Sequence, residues 1–193
     1  MSGIQALERI AKEIPMAVGR PARIEFEYNR HGTLCLIGNW HVVEGQMIAT
    51  TIDPTRTEED IAAHIRQTVN TDPQASWVLI VDNLNTHGSE SLVRYVAQQE
   101  GIDEATLGRK DKPGVLQSMA SRQALLADPN HRIRFVYLAK HSSWLNRLEV
   151  IFGVVTRRAV RRDSFPSLDA LKQRLLDFIG YFNRTFARSF CWT

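Results

Sequence analysis

Two stretches of the chain carry residue types that could do chemistry. The first is VDNLNTH, residues 81–87, where an apolar run ends on Asp82 and is followed by Asn83, Thr86 and His87. Open α/β sheets bind ligands at the carboxyl ends of their strands, and a carboxylate there suits a hard cation or a proton. Its plainer role is to cap the turn after the strand, and His87 equally suits a hydrogen-bonding place in that loop. The second stretch is HSSWLNRLEV, residues 141–150, where Glu149 lies in a helical pattern. At about 100° per residue, Asn146, Glu149, Gly153 and Arg157 share about one third of a helix circumference, and Arg161 continues the stripe. Glu149 then shares a face with guanidinium groups, although such a glutamate more commonly balances neighbouring arginines on a solvated surface. Trp144 reads as a packing anchor rather than a base-stacking platform.

The surroundings of Glu149 are basic. From His131 to Arg162 there are seven Arg and Lys140 against Glu149 as the single acid, within a chain of net charge +3 that has nineteen Arg and five Lys. The planar fork of arginine donates paired hydrogen bonds to phosphate and keeps its charge. Two carboxylates, one at a strand end and one on a helix, could share divalent cations such as Mg²⁺. With a third carboxylate they could hold two ions for in-line attack on a phosphodiester. No GxSxG, Walker, GxGxxG or HExxH motif is present, so nucleotide-binding and zinc-protease chemistries lack their signatures.

The elements that would position these residues can be read from hydrophobic period and punctuation. Residues 4–14 (IQALERIAKEI) have helical spacing and stop at Pro15, which predicts a short helix or turn. Thr33–Val43 and Gln46–Ile52 read as a hairpin. Thr57, with Asp60 three residues on, opens a helix to about Val69. WVLIVD, residues 77–82, is too short and apolar for anything but a buried strand. Ser89 caps a helix to about Gln99, IRFVYL (133–138) is another strand, and Ser142 or Ser143 opens a long amphipathic helix with Leu145, Leu148, Phe152 and Val155 on its apolar side. A last helix starts near Ser167 and presents Leu168, Leu171, Leu175, Phe178, Ile179 and Phe182. This alternation predicts an α/β layered domain with a mixed sheet.

With 44% hydrophobic and 23% charged residues, the composition is that of one globular domain over 1–193. No apolar block long enough for a membrane span or a signal peptide occurs, which points to a protein that is neither exported nor membrane-bound. Cys35 and Cys191 lie far apart without CxxC or histidine company and read as reduced core residues.

The strings IQALER, HGTLCLIG, VDNLNTH, SSWLNRLEVIFGVVTRRAVRRDSF and FNRTFARSFCWT, in this order, span nearly the whole chain. Together they resemble the catalytic domain of bacterial insertion-sequence transposases of the mariner-like superfamily, the DDE superfamily endonucleases. The resemblance implies a ribonuclease-H-like fold with a mixed sheet flanked by helices and dependence on Mg²⁺ or Mn²⁺. It also implies cleavage of element ends and transfer of the freed 3′-hydroxyl during DNA transposition and recombination, as integrases do. By it, Asp82 and Glu149 are catalytic metal ligands, and Asn83, His87 and Asn146 support them. Lys140, Arg147, Arg157, Arg158, Arg161 and Arg162 are expected to hold DNA phosphates. The implied partners are double-stranded DNA, at transposon ends and target, and a second copy in a synaptic homodimer. The implied place is the bacterial cytoplasm, at the nucleoid when bound to DNA.

Two departures accompany the resemblance. The family's first aspartate sits in an Asp-Glu pair just before the segment matched by SGIQALER, which places it and the first central strand ahead of Met1. The chain read alone is then a catalytic domain truncated at its N-terminus, with a non-catalytic DNA-binding or regulatory product as the alternative. The second departure is the interval of 67 positions from Asp82 to Glu149, longer than the family's usual spacing. The excess falls in 101–132, read as a surface insertion without an assigned role.

Overall fold

The computed structural model describes residues 2–23, 25–110, 112–139 and 147–188. In chain order the elements are β1 (Ser2–Arg9), β2 (Tyr28–His41), β3 (Gln46–Asp53), α1 (Glu58–Val69), β4 (Trp77–Val81), α2 (Glu90–Gln99), α3 (Glu104–Leu107), α4 (Met119–Leu126), β5 (Ile133–Tyr137), α5 (Arg147–Val155) and α6 (Leu168–Thr185). Antiparallel and parallel strands flanked by six helices give the mixed α/β architecture expected of a ribonuclease-H-like protein. The chain divides into two compact units, one formed by residues up to Pro54 and from Val150 onward, the other by Thr55–Glu149.

In the first unit β1, β2 and β3 form an antiparallel sheet in that order. The helix expected over 4–14 is instead β1, which pairs with β2 through Ile4↔Leu34 and Gln5↔Thr33. Ile4 and Ala6, two apart, are buried, while Ile10 and Ile14, which supplied the helical spacing, are exposed. Strand pairing has overridden a weak local signal. The position beside the hairpin is therefore filled by Ser2–Arg9. The other edge of β1 is bonded as well, with Phe165 N donating to Leu7 O at 2.9 Å and Arg9 N to Ser164 Oγ at 2.9 Å. These two bonds satisfy the Leu7–Arg9 part of that edge.

The hairpin and α6 stand as the sequence predicts. Ser167 caps α6 by accepting from Ala170 N at 3.1 Å, and Leu171, Leu175, Phe178 and Ile179 are buried. Asn183 binds the β3 backbone, donating to Met47 O at 2.8 Å and accepting from Met47 N at 3.0 Å. Cys35 is a buried free thiol, and Cys191 lies outside the described residues.

In the second unit β4 and β5 run parallel, from Trp77↔Ile133 to Val81↔Tyr137. Leu79, Ile133 and Phe135 are buried with Leu92, Val93 and Val96 of α2 and with Ile61, Ile65 and Val69 of α1. Val78, Ile80 and Val136, on the alternate side, are exposed, so β4 is not the strand buried on both faces that its apolar run predicts. Thr57 and Asp60 form the capping box that opens α1.

The amino ends of the parallel strands are tied together. Arg132 donates to Pro73 O at 3.0 Å, Ala75 O at 2.9 Å and Gln99 Oε1 at 3.3 Å, while the Glu100 carboxylate accepts from Arg132 N at 3.1 Å and Ile133 N at 2.9 Å. Arg132, counted in the basic run, is thus a structural clamp. The segment 101–132 is folded, and its Leu107, Leu116 and Leu126 are buried. Among the described residues no helix is long and apolar enough to cross a membrane.

Candidate active site

The carboxyl end of the parallel pair carries Asp82. The two strands end level, with Leu138 N donating to Val81 O at 2.9 Å, so the turn after β4 lies beside the end of β5. Asn83 fixes it there by donating from Nδ2 to Leu138 O at 2.5 Å. The Asp82 carboxylate turns the backbone, its Oδ1 accepting from Leu84 N at 3.1 Å, the local bond by which aspartate shapes turns. One helical turn, Asn85–Gly88, follows and brings His87 back over the aspartate. His87 Nδ1 lies 2.9 Å from Asp82 Oδ1 and 3.2 Å from Asp82 O. Both partners are acceptors, so Nδ1 carries the proton that it donates to them, and no described residue is bonded to Nε2.

The support beneath this loop comes from residues that pattern reading did not single out. Tyr137, the last residue of β5, donates its hydroxyl to His87 O at 2.7 Å, and burial pushes its phenol above the usual range so that it stays a donor. His64 on α1 is 3% exposed, and its imidazole is lowered to about 4, first by burial and then by the charge of His87. It is a buried neutral ring on α1, close enough to His87 to feel its charge. Gly88 is buried where a Cβ would come within 2.4 Å of Met119 Sδ, so α4 is packed directly against the turn. Thr86 Oγ1 is buried and has no hydrogen-bond partner among the described residues. Of these, Tyr137 was legible: once β4 and β5 are paired in parallel, its position opposite Val81 follows from the register.

Glu149 stands in the first turn of α5 and is exposed. Among the described residues it makes no ion pair or hydrogen bond through its carboxylate. Lys140 and Asn146 lie outside the described residues, as does the side chain of Arg147. Beyond Val155 the helix widens into one π turn, Thr156–Val160, closed by Arg161 N donating to Thr156 O at 2.9 Å. Such turns insert a residue into an α-helix and are frequent at functional sites. Arg157 keeps the expected face, its guanidinium nitrogens 3.9 Å from where a Gly153 Cβ would be. Arg161 closes the widened turn, which rotates less per residue than an α-helix. Arg157, Arg158, Arg161 and Arg162 are all exposed, and Arg158 lies 5.7 Å over the Phe186 ring.

Among the described residues no three His, Cys, Asp or Glu side chains converge into a ready metal cluster. The donor chemistry of Asp82 nevertheless fits a hard cation. Its side chain is 40% exposed, both of its bonds fall on Oδ1, and no described residue donates to Oδ2. The exposed Glu149 carboxylate is of the same hard-oxygen type.

A family model described as DDE superfamily endonuclease matches residues 2–172, taking in β1 through the first turns of α6 and both Asp82 and Glu149. Comparison with curated proteins and with solved structures gave no match. The match covers most of the chain, and the chain belongs to the DDE superfamily endonucleases.

Proposed function

We propose that this chain is the catalytic domain of a DNA transposase of bacterial insertion-sequence, mariner-like type, which cuts element ends and joins the freed 3′-hydroxyl to target DNA. The observation that carries the reading is the Asp82 loop. A carboxylate at the carboxyl end of a parallel strand is gripped on one oxygen by His87 and Leu84 N, and its other oxygen has no described donor. Endonucleases of this family use divalent metals, and Asp82 and Glu149 are the residues that would hold Mg²⁺ or Mn²⁺ here. When bound, the ion supplies charge that activates a water or 3′-hydroxyl and neutralises the leaving oxygen.

The protein's own groups do the rest. His87, protonated on Nδ1, holds the carboxylate in one rotamer, and Asn83 pins the turn to β5. Arg157, Arg158, Arg161 and Arg162, with Lys140 and Arg147, bind duplex phosphates and carry no base specificity, so their contribution weakens with salt. Synapsis of two ends by two copies of the protein belongs to the same reading.

The test is nicking of a labelled duplex from the DNA flanking the gene, in Mg²⁺ or Mn²⁺, by a form extended to include the family's Asp-Glu pair ahead of SGIQALER. Nicking is expected, with loss on Asp82→Asn. Unchanged nicking by Asp82→Asn would falsify the assignment.

A further inference from the structure

We infer that a pocket in the first unit, between β1 and the π turn, takes one unstacked base of bound DNA. The pocket has a volume of about 460 Å³, within the range of small-molecule sites, and three segments of the chain line it. Along β1, Ile4 and Ala6 are buried on one side of the strand, while the alternate residue Leu7 faces the pocket from the other. Val160, which ends the π turn, and the buried Phe165 add to the apolar lining. The third segment contributes Phe26 and Tyr28, whose rings are left open: the two residues are 86% and 48% exposed. Arg9 joins the three segments, donating from Nη1 to Glu25 O at 2.6 Å, from Nη2 to Arg161 O at 3.4 Å and from its backbone N to Ser164 Oγ at 2.9 Å. Walls tied together in advance lose little freedom when a ligand enters.

The lining suits a flat aromatic ligand. Two open aromatic rings beside aliphatic side chains form a stacking surface that any base can use, because every base has a π face. The charges around the pocket identify what would carry that ligand. Arg161 and Arg162 line it and are exposed, and both belong to the set of arginines proposed above to bind duplex phosphates. Of the three carboxylates in the described lining, Glu25 is turned to the backbone, accepting from Phe26 N at 2.8 Å and Glu27 N at 3.0 Å, and Asp163 is paired with Arg174 at 2.8 Å. Glu13 is left against three arginines. A place for a flat ring therefore opens within a surface for phosphates. DNA offers a flat ring to such a place only when a base leaves the stack, and the cost is least for a base that is already unpaired. An apolar side chain of a second protein copy would cover the rings but would give the arginines no phosphate.

This inference rests on the transposase reading for its DNA partner, and the two can fail separately. The experiment follows the whole chain by fluorescence anisotropy against two labelled duplexes of one sequence, one fully paired and one with a single unpaired adenine bulged from one strand. The readout is the ratio of the two affinities. The wild type should bind the bulged duplex roughly 10- to 100-fold more tightly, the scale of stacking one base on aromatic side chains. Phe26→Ala with Tyr28→Ala should bring the two affinities to parity, whereas Phe26→Tyr with Tyr28→Phe, which keeps both rings, should retain the preference. From about 50 to 200 mM salt both affinities should fall while their ratio holds, because the phosphate contacts are common to the two duplexes. Exposed side chains are changed, so the melting midpoint should not move. Parity in the wild type, or a preference that survives the alanine pair, would overturn the pocket assignment and leave the transposase reading standing. So would a wild-type dimer, seen by light scattering, that the alanine pair turns into a monomer with the DNA preference unchanged, since the pocket would then hold a second copy. A wild type that binds neither duplex at low salt would overturn both this inference and the transposase reading.

Discussion

Asp82 and Glu149, the two proposed metal ligands, are carboxylates held in opposite ways. Asp82 follows a strand whose partner strand and own loop both hold its turn: Leu138 O takes the Asn83 amide, Tyr137 holds the His87 carbonyl, and His87 and Leu84 N hold the carboxylate. Glu149 rides the first turn of α5, exposed, and its position is set by helix register alone among the described residues. A strand-end site is therefore fixed by its neighbours' bonds. A helix site is fixed by backbone geometry and leaves its rotamer to whatever binds. Sequence changes around the first should act on the ligand, and changes around the second should matter little unless they bend the helix.

The largest expected effect is one in which the two carboxylates behave alike. In the extended form, Asp82→Asn and Glu149→Gln should each lower metal-dependent nicking by roughly 100- to 1,000-fold, equivalent to several kcal/mol of charge stabilisation. A loss at Asp82 with none at Glu149 would remove the helix site from the mechanism.

Acid should then separate the two regions. His64 is held neutral with a folded value of about 4 against an ordinary 6.5, so between those values the unfolded chain binds the extra proton. The stability it allows is fully present above pH 6.5 and declines as pH falls towards 4, by about 3 kcal/mol. Urea unfolding followed across that range should show the decline, and His64→Gln should flatten it. An equal slope in the variant would assign the acid sensitivity elsewhere.

A smaller effect tests the second layer of contacts. His87→Ala should weaken Mn²⁺ binding by about 10- to 100-fold, the usual cost of removing a partner that orients a ligand. Val150→Ala, which alters an exposed neighbour of Glu149, should leave binding within about 2-fold. Equal losses from both would mean that the helix site is supported as closely as the strand site.

How far this comparison could be read in the sequence follows from the range of the signals. Asp82, Asn83 and His87 are close together in a short apolar-then-polar string, and local turn chemistry links them, so their grouping was legible. The caps at Thr57, Ser89 and Ser167 were legible for the same reason, each acting within three residues. β1 was not, because the pairing that makes it a strand joins Ile4 to Leu34, and the local spacing of Ile10 and Ile14 pointed to helix. The π turn after Val155 also escaped, since five residues of TRRAV continue an α-helical pattern without a break. His64 and Met119 carry no local sign that they face the Asp82 turn. That relation exists only once α1 and α4 are packed.

The packing of α4 on that turn supplies the smallest test. At Gly88 a methyl group would meet Met119 Sδ at 2.4 Å, and the neighbour that must yield is a flexible thioether. Gly88→Ala should therefore cost about 1 to 2 kcal/mol, read as a lower urea midpoint at constant slope. Met119→Ala alone opens a space and should also destabilise the protein. The two changes together should cost less than their sum, because the methyl occupies part of the space that the thioether leaves. Additive losses would mean that the added methyl and the Met119 thioether do not share that space. In that case the segment 101–132 would stand beside the Asp82 loop without shaping it.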